Sequence, residues 1–97
     1  MIYKFKNKAT ADLLMLGPNG DQLLRLIGRE PQAKGIIEPS AMFAAMADLK
    51  KAIEAEEAER ADQPPAPGQV GLRQRMWPMI EMMKRAQAAG EPIVWGV

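Results

Sequence analysis

No cysteine and no histidine occurs among the 97 residues of this chain. No disulfide can staple the fold, and neither can a zinc ion held by the usual nitrogen and sulfur ligands. Packing alone must hold it. The apolar share is 47%, but fifteen of those residues are alanine. About thirty large side chains remain, enough to fill the space between two layers of secondary structure. A chain of this length reads as one domain, residues 1–97, that buries roughly two-thirds of its unfolded surface.

The same absence narrows the chemistry. No imidazole can move protons near neutral pH and no thiolate can attack a substrate. Ser-His and Cys-His nucleophile pairs cannot be assembled. The net charge is +1, from 13 basic and 12 acidic residues, which is not the signature of a nucleic-acid binder. The charge is nevertheless segregated. Three lysines and no acid stand in the first nine residues, and residues 54–62 hold five acids against Arg60. Arg73, Arg75, Lys84 and Arg85 then face only Glu81. Such blocks suit contacts within a protein or between its copies better than contacts with a polyanion.

Residues 2–6 alternate, with Tyr3 and Phe5 on one side and Lys4 and Lys6 on the other, predicting a half-buried strand. Asp12-Leu-Leu-Met-Leu16, ended by Gly17-Pro18, predicts a second strand covered on both faces. The short polar link between them suits an antiparallel hairpin. Asn19 with Gln22 three residues on reads as a helix cap. Leu23, Leu24, Leu26 and Ile27 give that helix its apolar face, and Gly28 ends it. A loop through Pro31 and Gly35 follows.

Pro39 opens a long second helix, with Ile37 and Met42 placed to staple its start. Met42, Met46, Leu49 and Ile53 form its seam, flanked by Ala45 and Ala52. The acidic end beyond them reads as a solvated face carrying pairs such as Glu56 with Arg60. Residues 62–71, with Pro64, Pro65, Pro67 and Gly68, predict a mobile proline-rich loop. Helical spacing resumes over residues 72–89, with Leu72, Met76, Met79, Ile80 and Met83 on one arc and Gly90 at its end. Pro78 either kinks this helix or begins it. Ile93-Val-Trp95 predicts a closing strand. The expected fold is α+β, in the order β-β-α-α-α-β, with a three-stranded, partly antiparallel sheet and about three helices mainly on one face.

Leu72–Met83 (LRQRMWPMIEMM) and Gly90–Val97 (GEPIVWGV) resemble a small bacterial family known as a domain of unknown function, number 1840. The opening MIYKFKNKAT and Gly35–Met42 (GIIEPSAM) are similar to that family too. The resemblance implies a bacterial cytoplasmic protein with no established activity, so it transfers no functional residue.

Each candidate site has an ordinary competitor. Gly17–Asp21 joins a strand to a helix start, where anions bind. It lacks the Gly-Lys-Ser/Thr ending of a phosphate loop, and Asp21 repels phosphate, so it reads as a turn. Lys4, Lys6 and Lys8 interleave with two rings, but alternation puts rings and charges on opposite faces. Asp12 in an apolar strand would titrate high if buried, yet no partner carboxylate stands at a defined spacing.

Met82 lies at the edge of the helical arc and reads as partly exposed. Trp77 falls about 100° or more from the arc centre on a continuous helix. Flanked by Arg73, it would make a partner anchor, unless the Pro78 kink turns it against the sheet. Trp77, Arg73, Met82 and Trp95 are therefore the candidate partner or ligand surface.

No residue is expected to be catalytic, to bind a cofactor or to hold a metal. Leu13 and Leu14 point to opposite faces, as do Val94 and Trp95, and three helices cannot cover both sides of a sheet. A non-enzymatic interaction module forming a homodimer is the leading expectation. The alternative is a small-ligand binder, or a carboxylate-dependent enzyme, with a pocket between sheet and kinked helix near Trp77 and Trp95. Neither nucleic acid nor membrane is expected as a partner.

Overall fold

The computed structural model describes residues 2–60 and 71–97. The expected proline-rich loop at 62–71 falls outside the described residues, Gly71 excepted. Seven elements follow in the order β1 (Ile2–Phe5), β2 (Leu13–Leu16), α1 (Gly17–Leu26), β3 (Gly35–Ile37), α2 (Pro39–Arg60), α3 (Leu72–Ala89) and β4 (Ile93–Trp95).

The α+β class is as expected; the sheet is not. In place of one three-stranded sheet there are two antiparallel pairs, β1 with β2 and β3 with β4. They touch at one bridge, where the Lys6 amide donates to the Val94 carbonyl at 2.7 Å and the Val94 amide donates back at 2.9 Å. The added strand is β3, expected to be loop. Three residues are too few to display an alternation, and the partner that makes them a strand lies far downstream. Ile37 pairs with Ile93, Ile36 with Val94 and Gly35 with Trp95.

Alternation assigns the two faces. Tyr3 pairs with Met15 and Phe5 with Leu13; Tyr3, Phe5 and Met15 are buried and Leu13 packs against the same core. Ile93 and Trp95 join them from β4 and Ile37 from β3. The helices lie on this inner side. β2 is therefore covered on one face only, contrary to the sequence expectation, with Leu14 and Leu16 pointing outward.

The start of α1 is also a correction. Leu16 occupies the cap position, no side chain caps the helix, and Pro18 stands in its first turn. The Asn19 and Gln22 side chains instead accept hydrogen bonds from Arg75 on α3, at 3.4 and 2.6 Å. In α2, Met42, Ala45, Leu49 and Ile53 are buried, and Ile37 enters the same core as Met42. The α3 helix runs through Pro78 without ending, and Gly90 closes it in the left-handed region at φ 68°. Its buried face includes Met82 at 5% exposure, so that residue is core and not surface.

Two glycines permit close packing. A Cβ on Gly20 would collide with the Tyr3 ring, and one on Gly35 with the Trp95 indole. Both rings are buried and cannot step aside. Gly20→Ala is expected to lower stability by about 1–3 kcal/mol, measured by urea unfolding, with Gly35→Ala behaving alike.

Candidate functional site

Two surfaces stand out, one on the sheets and one on α3. On the outward sheet face the even-numbered residues of β1 and β2 meet. Ile2 lies opposite Leu16, and Lys4 lies opposite Leu14. Ile2, Leu14 and Leu16 are 61%, 63% and 62% exposed. Ile36 on β3 and half-buried Val94 beside it form a second apolar pair, with Lys6 standing between Val94 and the first group. A singly exposed leucine needs no explanation, but adjacent aliphatics on a face without a covering layer form a patch.

Of the lysines on this face, Lys4 has an acidic partner and Lys6 has only a hydrogen-bond acceptor. Lys4 lies 3.6 Å from Asp12, both about half-exposed. Lys6 donates through Nζ to the Val97 carbonyl at 3.1 Å. Asp12 is thus a surface partner of Lys4 and not a buried acid.

The second surface is built by the end of α2 and the start of α3. Glu56 Oε1 accepts the Leu72 amide at 2.9 Å, supplying the cap that Gly71 lacks, and also pairs with Arg60 at 3.7 Å. Glu57 receives Arg73 through two bonds of 2.9 Å. Held this way, the Arg73 guanidinium lies 5.2 Å from the centre of the Trp77 ring, a cation–π arrangement. Arg73 lowers the Glu57 pKa below its ordinary value, mainly through the hydrogen bond, and its own pKa is raised in return. Trp77, Pro78, Gln74 and Glu81 line a shallow groove beside it. Trp77 is half-buried, packed on the margin of the core.

Of the residues expected to form one surface, the structure brings together only Trp77 and Arg73. Trp95 is core: it is 2% exposed, meets Phe5 edge-on at 5.5 Å, and donates to the Gln32 carbonyl at 3.0 Å. Met82 is buried on the other side of α3. Trp95 borders a different hollow from Trp77, shared with Ile2, Lys4 and Val97. Ile2, Leu14 and Leu16 are not separable as a patch residue by residue in the sequence. The alternation of β1 and the opposed Leu13 and Leu14 are the signals that lead to them.

Among the described residues no polar or charged residue is buried, and no three histidine, cysteine or acidic side chains gather where a metal ion would fit. The Tyr3 hydroxyl donates to Asp21 Oδ1 at 2.5 Å. Burial, and then this bond, push its pKa to about 12. The pair ties α1 to β1 and is structural. None of the described helices is long and apolar enough to cross a membrane.

These features define a small α+β domain with helices on one side of its paired strands and an apolar patch on the other. A family model described as Domain of unknown function (DUF1840) matches residues 1–95, and the chain belongs to that family. No curated protein and no solved structure matches it.

Two outcomes follow for these contacts. Removing the guanidinium in Arg73→Ala should shift the Trp77 emission to longer wavelength while stability hardly changes, as for an exposed ion pair. For Tyr3, a pKa raised from 10.0 to about 12 means the neutral phenol stabilises the fold fully below pH 10. That contribution is lost as pH rises from about 10 to about 12, because the unfolded state releases its proton first. Urea unfolding across this range should show the loss in the native chain and a smaller one in Tyr3→Phe. At neutral pH Tyr3→Phe should cost about 1–2 kcal/mol.

Proposed function

We propose that this protein is a non-enzymatic interaction module that works as a homodimer, in the cytoplasm. The observation that carries this reading is the outward sheet patch, where Ile2, Leu14 and Leu16 are each more than 60% exposed. Aliphatic side chains in contact on a bare sheet face are costly to keep in water. A two-fold dimer, the commonest oligomer, would cover such a face. The lack of histidine and cysteine and of any fully buried charged residue among the described residues supports a binding role over a catalytic one.

The outward face of four short strands is small beside the roughly 800 Å² per partner of a standard interface. Association in the micromolar range is therefore expected. Native mass spectrometry and light scattering should find a concentration-dependent dimer without an adduct. Leu14→Glu or Leu16→Glu should leave it monomeric with its helical circular dichroism unchanged, because both side chains are exposed in the monomer. A native chain that stays monomeric at high micromolar concentration would sink the proposal.

A second reading, a small-ligand binder, draws on the groove beside Trp77, Pro78 and Glu81. It predicts saturable quenching of Trp77 emission by one member of a metabolite panel, abolished in Trp77→Phe. The groove carries few polar groups to fix an orientation, and a ligand site needs several that converge.

A further inference from the structure

We infer that the rift between β1 and β4 captures the extended C-terminal end of a partner polypeptide. The partner's main chain adds to the free edge of β1, and its terminal carboxylate reaches Lys6. The site is distinct from the outward patch, because the hydrogen-bonding groups of a strand lie in the plane of the sheet and its side chains do not. It does not depend on self-association.

The free edge follows from the register. Tyr3 pairs with Met15 and Phe5 with Leu13, while the main chains of Lys6 and Val94 exchange both of their hydrogen bonds. In an antiparallel ladder successive residues turn their amide and carbonyl to opposite sides. Lys6 turns them towards β4, so Lys4 and Ile2 do the same. Yet the pairing stops at the Lys6–Val94 bridge, and among the described residues no main-chain bond joins Ile2 or Lys4 to β4. Gly96 is the reason. It stands in the left-handed region at φ 76°, and a Cβ there would collide with Ala33 and Lys34. The chain after Trp95 is thus held against residues 33 and 34 instead of continuing along β1. What opens is a hollow of about 260 Å³ lined by Ile2, Tyr3, Lys4, Lys6, Trp95 and Val97.

The chemistry of the rift selects its occupant. Amides and carbonyls left unpaired at strand spacing recognise an extended main chain. The Lys6–Val94 bridge closes one end of the rift, so an added strand must stop there. A chain end can do so and an interior segment cannot. Lys6 stands at that closed end. Among the described residues it forms no ion pair, and its Nζ donates only to the neutral Val97 carbonyl at 3.1 Å, in an exposed bond. A carboxylate is a stronger, charge-assisted partner than a carbonyl, so the end that fits is the C-terminal one. The added chain then runs parallel to β1. Its side chains alternate between the outward face and the inner side, where Tyr3 and Trp95 line the hollow. An apolar side chain suits that inner position.

The test is nuclear magnetic resonance on the isotope-labelled full chain. Without ligand, the Lys4 amide should exchange with solvent much faster than the paired amides of Tyr3 and Phe5. The probe is a mixture of N-acetylated apolar tripeptides with free C-terminal carboxylates. Capture predicts saturable shifts of the Ile2, Lys4 and Lys6 amides and slowed exchange at Lys4. The same peptides with amidated ends should bind roughly tenfold more weakly, as expected for loss of a hydrogen bond to a charged group. Lys6→Met should erase that preference and Lys6→Arg should keep it, both with a native spectrum. A Lys4 amide as protected as Tyr3 in the free chain would overturn the open edge. Absence of saturable shifts at these amides with millimolar peptide, or equal binding of the acid and amide forms, would overturn the capture of a C-terminal end.

Discussion

The two strand pairs are held as one layer by aromatic packing across the gap between them. Tyr3 stacks on Phe5 at 5.7 Å, and Phe5 meets Trp95 edge-on at 5.5 Å. That row spans β1 and β4, whose backbones join at a single bridge. Gly20 and Gly35 leave room for the two outer rings, and the Tyr3 hydroxyl anchors α1 through Asp21. Without a disulfide, rigid rings of large area are an efficient way to lock two small strand pairs together. The helices pack on the surface that this row creates, and the outward face takes its bareness from the same geometry.

Charge acts at a second level, in joining helices. The acidic end of α2 reads from sequence as a solvated helix face, yet Glu56 caps α3 and Glu57 fixes Arg73 over Trp77. The segregated charge blocks therefore meet, at least here, within one molecule. Arg75 plays the corresponding role between α3 and α1, bonded to neutral side chains, with its buried Nε lacking a partner among the described residues. A buried water is the usual companion of such an atom.

Much of the architecture was legible because it rests on period and punctuation. The alternation of Ile2–Phe5, the seam of Met42, Leu49 and Ile53, and the arc of Leu72 to Met83 each mark a buried side. Gly90 ends α3 where its position suggests. The failures share a physical reason. β3 exists only because Ile93–Trp95 arrives beside it, and three residues carry no period of their own. Asn19 and Gln22 look like a cap, but Arg75, far along the chain on α3, claims both side chains. Met82 sits at the edge of the arc yet is buried in the core, because α3 packs against both α2 and β2.

The sequence by itself determined that packing alone must stabilise the domain, that imidazole and thiol chemistry are absent, and which side of most elements turns inward. These follow from composition and from periods of roughly 2 and 3.6 residues, which are local properties. Only the tertiary structure decided that there are two strand pairs and not one sheet, that Trp95 is core while Trp77 stays at the surface, and that Ile2, Leu14 and Leu16 share an uncovered face. Those outcomes depend on which distant segments meet, and a contact between residues far apart in the chain leaves no periodic trace in either one.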